Sequence, residues 1–322
     1  MSASRQAEPL RVGVVGLGDI AQKAYLPVLT SLDAVELTLM SRGSDRLDRV
    51  GRQYGVSRRT TRLEDLLDGS IDAAFVHTST EAHVEVVERL LTAGVHVLVD
   101  KPLAPDLAGA TRVVETAERH GVSLAVGFNR RFCPAYAAFA ELNPSVVLMQ
   151  KHRPALPERP RRFVFDDFIH VVDTLRFLMP PGDEQLSVWC SVADGLLTTV
   201  TLGIRIGEST GLGVMHRVSG SEEEVLEVLG PGYKHRVVDL ADVWRADQGD
   251  LPGVRRLGKD GWTPVSTVRG FTAMSEAFLS SVRAGAMLSA RDALRSHEVC
   301  ETVVLAAEVA LGDASAPVSG PG

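Results

Sequence analysis

Cysteine is scarce in this 322-residue chain: Cys133, Cys190 and Cys300 are odd in number, far apart and without a Cys-x-x-Cys pair. That usage excludes a disulfide framework and a cysteine zinc site, and it fits a reducing compartment. Basic charge is also short. Lys and Arg number 34 against 41 Asp and Glu, giving a net charge of -7 and a pI near 5.7. The positive excess that marks a nucleic-acid binder is therefore missing. The one basic run, Arg153 to Arg162, is broken by prolines and reads as a solvated loop. No stretch approaches the ~18 apolar residues of a membrane span, and Met1 to Pro9 carries no apolar signal region. Cytoplasmic location, with no nucleic-acid or membrane partner, is the expectation. Aromatics make up only 5% of residues, with 45% hydrophobic and 23% charged, which is a globular composition. The length exceeds one ordinary core, so two domains are expected, 1–128 and 129–322.

What is present is organised around Leu10 to Ala21. An apolar run, Leu10 to Val15, breaks into Gly16-Leu17-Gly18-Asp19-Ile20-Ala21 and then a helical pattern. This reads as strand, glycine turn and helix start. Gly16 permits the turn, Gly18 leaves backbone bare for a pyrophosphate, and Ala21 lets the helix lie close to the strand. The anion would sit at a helix N-terminus, where free N–H groups favour negative charge. A second strand, Val35 to Met40, ends in Ser41-Arg42-Gly43-Ser44. Dinucleotide folds usually place an acid there for the adenine ribose, whereas an arginine accommodates a 2'-phosphate. Ser41 and Arg42 thus favour NADP(H) over NAD(H), against the plainer reading of a surface turn with an incidental arginine.

Further apolar runs at Ile71 to Val76, Val95 to Val99 and Val122 to Gly127 alternate with helical stretches at Ala82 to Ala93 and Leu107 to His120. Such alternation implies an α/β Rossmann domain, a doubly wound parallel sheet with ligands outside the strand C-termini. Gly16, Ser41, Thr78, Lys101 and Asn129 fall at those ends. Beyond Phe128 the pattern changes to Val146–Lys151, Leu186–Val192, Leu196–Ile206, Gly211–Ser219, Val225–Leu229 and Tyr233–Val238, joined by hairpin-type turns. An α+β domain with a large, mostly antiparallel sheet is expected, with helices at Asp166–Met179, Thr272–Ala284 and Ala290–Leu311. Both polar termini, Met1–Pro9 and Asp313–Gly322, read as loose.

Asp166, His170 and Asp173 are spaced by four and three residues, which places them on one face of a helix. A carboxylate one turn away can orient the imidazole and raise its pKa, and such a histidine moves protons at neutral pH. The alternatives are a helix capped by Asp166 or Asp167 with a merely satisfied His170, and a metal pair lacking further ligands. Lys101, ending a buried strand before Pro102, can polarise a carbonyl or hydroxyl oxygen; otherwise it is a solvated lysine beside Asp100. The remaining histidines, His77 among them, show no partner at catalytic spacing and read as structural or exposed. Cys133 reads as no nucleophile.

Taken together, Gly16 to Ala21, Thr78 to His83, Ala93 to Pro102, Gly127 to Phe132 and Asp166 to Asp173 resemble the Gfo/Idh/MocA family of oxidoreductases over nearly the whole length. Asp166 to Asp173 and Arg269-Gly270-Phe271 look most like its MviM-type subgroup. The resemblance implies hydride transfer between NAD(P) and a sugar, cyclitol or related hydroxyl or ketone. It also implies a homodimer or homotetramer paired through the antiparallel sheet. Lys101, His170 and Asp166 fall on the family's catalytic positions. Dinucleotide contacts are implied for Gly16, Gly18, Asp19, Ile20, Ser41, Arg42, Thr78, Ser79, His83, Asp100, Lys101 and Asn129, and substrate contacts for Arg130, Phe168 and Asp173. No metal is implied. Three departures stand out. Asp100 replaces the usual Glu, Ser79 replaces a frequent proline, and Phe168 replaces a common glycine and brings a ring toward the pocket. Two competing readings follow: a reductase of non-sugar cyclic imines or enones, and a silent NADP-binding regulator or scaffold.

Overall fold

The computed structural model describes residues 8–248, 255–257 and 261–315. Of the termini expected to be loose, residues 1–7 and 316–322 lie outside the described residues. Asp313 to Ser315, by contrast, continue the final helix, Arg291–Ser315. The chain forms two compact units, Met1–Asn129 with Val265–Leu294, and Arg130–Pro264 with Arg295–Gly322. The first unit runs to Asn129, where 128 is the expected end, and Val265–Leu294 returns to it. Packing explains the return. In the helix Phe271–Arg283, the Phe278 ring meets Phe75 edge-on at 5.4 Å and Phe271 meets Tyr25 at 5.2 Å. Beyond it, Leu124 N–H donates to the Leu288 carbonyl at 3.0 Å.

In the first unit, β1 (Leu10–Val15), β2 (Val35–Met40), β3 (Arg58–Thr60), β4 (Ala73–Val76), β5 (His96–Val99) and β6 (Leu124–Val126) form one parallel sheet in the order β3-β2-β1-β4-β5-β6. Helices Ser44–Gln53, Thr80–Thr92 and Leu107–His120 make the crossovers. Strands covered on both faces read as unbroken apolar runs, and β4, Ala-Ala-Phe-Val, is buried throughout. Asp106 caps the Leu107–His120 helix by accepting from Gly109 N–H at 2.7 Å, and Gly121 ends it at φ 63°. Neighbours β1 and β4 are not consecutive, so strand order reverses between them. The crevice outside their C-terminal ends is where such sheets hold ligands.

The second unit is built on β7 (Val146–His152), β8 (Gln185–Ala193), β9 (Leu196–Ile206), β10 (Ser209–His216), β11 (Glu223–Gly230), β12 (Tyr233–Val238), β13 (Asp242–Asp247) and β14 (Arg255–Leu257), ordered β14-β13-β12-β11-β7-β10-β9-β8. All neighbours are antiparallel except β7 and β10, which run parallel. The helical segment of this unit runs from Pro160 as one short turn, a π turn at Val164–Phe168 and an α-helix at Ile169–Leu178. It starts six residues earlier than the pattern predicts, so neither Asp166 nor Asp167 caps it. The basic run is a largely exposed loop over 153–159 and helical from Pro160, with Arg153, Arg161 and Arg162 ion-paired. Arg153 pairs with Asp167 at 3.1 Å and with Glu222, Arg161 with Glu301 at 2.7 Å, and Arg162 with Glu158 at 3.5 Å. No helix among the described residues is long and apolar enough to cross a membrane.

Candidate functional site

Gly16 sits at φ +90°, and a Cβ there would lie 2.6 Å from the His77 carbonyl oxygen, so β1 can close against the end of β4 only with glycine. Gly18 is the reverse case. No heavy atom lies within 4 Å of where its Cβ would be, which leaves its backbone open for close approach. Asp19, ion-paired to Lys23 at 2.6 Å, and Ile20, 42% exposed, flank this opening. At the end of β2, Ser41 is half-buried and Arg42 is exposed, with no hydrogen-bond or ion-pair partner among the described residues. At the end of β4, the Thr78 hydroxyl is buried and lacks a hydrogen-bond partner among the described residues. Ser79 precedes the Thr80–Thr92 helix without using its side chain as a cap. An open glycine backbone and an orphan hydroxyl at the strand ends fit a dinucleotide.

Three residues expected to contact the dinucleotide are held by the protein instead. His83 is buried, with Nδ1 2.8 Å from the Pro102 carbonyl and Nε2 3.1 Å from that of Thr78. Burial pushes its pKa below the ordinary histidine value, and both ring nitrogens face backbone carbonyls rather than solvent. Asn129 donates its amide to the Arg269 carbonyl at 2.8 Å. Asp100 accepts from the Tyr25 hydroxyl at 2.7 Å and from His77 Nδ1 at 2.7 Å. A carboxylate only accepts, so Nδ1 carries the proton. Burial pushes the Asp100 pKa up, but the His77 interaction and the two hydrogen bonds bring it below the ordinary value. His77 and Tyr25 carry no sequence signal by spacing. The available clue is register: Val76 pairs with Val99, which sets His77 opposite Asp100. Lys101 follows as a half-exposed residue.

In the second unit, Asp166 is about half exposed, with Oδ2 3.5 Å from Arg162 Nε, and His170 is partly buried. The π turn between them, in which Ile169 N–H reaches back to the Val164 carbonyl, changes the angular step that an ideal α-helix would give. The three implied substrate residues are placed otherwise. Asp173 is 1% exposed and its carboxylate takes Arg131 at 2.6 Å and Ser296 at 3.1 Å. Arg130 is buried in a bidentate pair with Glu224 at 2.8 and 2.6 Å. Phe168 is fully buried, so its ring fills packing and presents no face to solvent. Burial also pushes up the Cys133 thiol, which donates to the Leu240 carbonyl.

Lys151 completes a charged cluster, 3.1 Å from Glu224 and 3.2 Å from Asp167, while Arg217 lies 3.3 Å from Asp167. Among the described residues, no group of three or more His, Cys, Asp or Glu could hold a metal.

Comparison with known proteins matches residues 10–128 to an oxidoreductase family with an NAD-binding Rossmann fold, and residues 134–248 to a YceM-like C-terminal domain. YceM of Salmonella typhimurium, which bears an oxidoreductase name, is 37% identical over 293 residues, 85% of this chain and 90% of that protein. The myo-inositol dehydrogenase Hyg17 of Streptomyces leeuwenhoekii is 30% identical over 96% of this chain and all of its own length. Among solved structures, an oxidoreductase from Vibrio cholerae superposes with a TM-score of 0.87 at 30% identity, covering 95% of this chain and 100% of that one.

Proposed function

Because this chain belongs to the Gfo/Idh/MocA family of NAD(P)-dependent oxidoreductases, we propose that it uses NADP(H) and acts on a hydroxyl or ketone of a sugar or cyclitol. The observation that carries the cofactor choice is Arg42, exposed and unpaired at the end of β2 where an acid would select the unphosphorylated ribose. The substrate class rests on relatives such as the myo-inositol dehydrogenase that matches 96% of this chain.

When bound, the nicotinamide supplies and accepts hydride. Gly16 and Gly18 admit the pyrophosphate to the backbone of the first turn, Ser41 and Arg42 hold the 2'-phosphate, and Thr78 and Ser79 offer hydroxyls to the sugar of the cofactor. Lys101 polarises the reacting oxygen with its ammonium. His170 takes the hydroxyl proton during oxidation and returns it during reduction, and Asp166 orients the imidazole. The outer face of the second unit's sheet pairs subunits in a homodimer or homotetramer. Titration with NADPH and NADH, followed by nicotinamide fluorescence, tests the reading. Tight NADPH binding that weakens selectively in Arg42→Ala is expected, and no binding of either dinucleotide would overturn it.

A further inference from the structure

Both carboxylate oxygens of Asp100 are committed inside the protein, Oδ1 to Tyr25 and Oδ2 to His77, at 2.7 Å each. Asp100 N–H is committed too, to the Val76 carbonyl at 3.0 Å. Gly127 seals the arrangement from β6, since a Cβ there would fall 2.9 Å from the Tyr25 hydroxyl and 3.1 Å from Asp100 Oδ1. On the other side of Lys101, the Pro102 carbonyl is held by His83 at 2.8 Å. The residues before and after Lys101 are thus both pinned by histidines that follow β4.

The His77 side chain is fully buried, and its Nε2 has no hydrogen-bond partner among the described residues. The Tyr25 ring lies against it, with centroids 4.1 Å apart. A ring enclosed in this way contributes through Nδ1 alone, and Nδ1 donates to Asp100. The short aspartate side chain keeps its carboxylate near the strand end, within reach of the histidine opposite.

We propose that His77 is a positioning residue for Lys101, acting through Asp100: the Tyr25–Asp100–His77 clamp fixes the chain from which the lysine side chain departs. The role assigned to the lysine rests on the oxidoreductase reading, but the clamp can be tested without dinucleotide or substrate. Limited acetylation with acetic anhydride is read by mass spectrometry as labelling of Lys101 relative to Lys23, which is 76% exposed in the first unit and serves as the internal standard.

In His77→Ala, release of the Asp100-Lys101-Pro102 segment should raise the relative labelling of Lys101 by about threefold or more. His77→Asn keeps a donor in the place of Nδ1 and should return labelling to near the wild-type ratio. Tyr25→Phe, which frees only Oδ1, should give an intermediate rise and stands in if His77→Ala fails to fold. Unchanged labelling in folded His77→Ala, or in Tyr25→Phe where it stands in, would overturn the proposal. So would a His77→Asn protein that labels like the alanine variant. Failure of the wild type to bind either NADPH or NADH would overturn the oxidoreductase reading and leave the labelling ratios to decide the clamp.

Discussion

At the residue scale, His170 carries the proton in the proposed reaction, and its loss should separate chemistry from binding. His170→Ala should lower kcat about 100-fold, the usual size of general acid-base help, while leaving the NADPH dissociation constant unchanged. Steady-state kinetics with a sugar and cyclitol panel that includes myo-inositol, alongside fluorescence titration, checks both halves; wild-type turnover in the variant would refute the role. Residues whose task depends on their own backbone were legible in the sequence. Gly16 is required by a positive φ and by the His77 carbonyl, and both follow from a strand meeting a tight turn. Residues whose task depends on a distant partner were not. The family resemblance implies substrate contacts for Asp173 and Arg130, yet their partners Arg131 and Glu224 lie 42 and 94 positions away. His77 failed to register for the same reason, since Asp100 is 23 positions on.

Elements were read best where one face or both faces are apolar, as in β1, β4 and β9, and worst where charge interrupts the period. β3, Arg-Arg-Thr, and β13, Asp-Val-Trp-Arg-Ala-Asp, earn their strand geometry from neighbours rather than from hydrophobicity. Charge also binds elements of the second unit together. Glu224 on β11 accepts from Arg130, Tyr136 and, from β7, Lys151, while Asp167 in the π turn takes Lys151, Arg153 and Arg217. Burial raises the Glu224 pKa, but Arg130 and then Lys151 pull it far below the ordinary 4.5. Lys151 is itself pushed below its ordinary value, by burial and by the charge of Arg130, against the pull of its carboxylates.

Glu224→Gln leaves the buried Arg130 without its carboxylate and Lys151 with Asp167 alone, and should cost about 3 to 5 kcal/mol, the range for breaking one side of a buried pair. The sign with pH follows from the depressed carboxyl. Its stabilisation is complete above the unfolded value near 4.5 and drains as pH falls from there toward the folded value. Urea midpoints between pH 3 and pH 7 should therefore fall more steeply on the acid side for wild type than for Glu224→Gln. Parallel curves would contradict the assignment.

For the molecule as a whole, the return of Val265–Leu294 to the first unit could not be read in advance, because an amphipathic helix shows an apolar face without naming the surface that covers it. The second unit's sheet poses the same question in reverse. Along β8, Gln185, Ser187, Trp189, Ser191 and Ala193 are exposed while the alternate residues are half-buried, so one face of this edge strand stands open. Trp189 is 59% exposed, and its ring lies over Gly203 of β9, close enough that a Cβ there would meet it at 3.5 Å. A large aromatic on an open sheet face is stabilised when a second copy covers it, and a two-fold axis would set the same strands against each other. Light scattering on the eluting protein should then give a mass two or four times the 34.6 kDa of the chain. Trp189→Glu sets a charge in the middle of the exposed row and should shift the mass toward one chain with an unchanged far-UV spectrum, because the ring is not part of the core. A wild-type mass of one chain, or a Trp189→Glu protein that keeps the full assembly, would place the subunit contact elsewhere and leave the open face of β8 to the solvent.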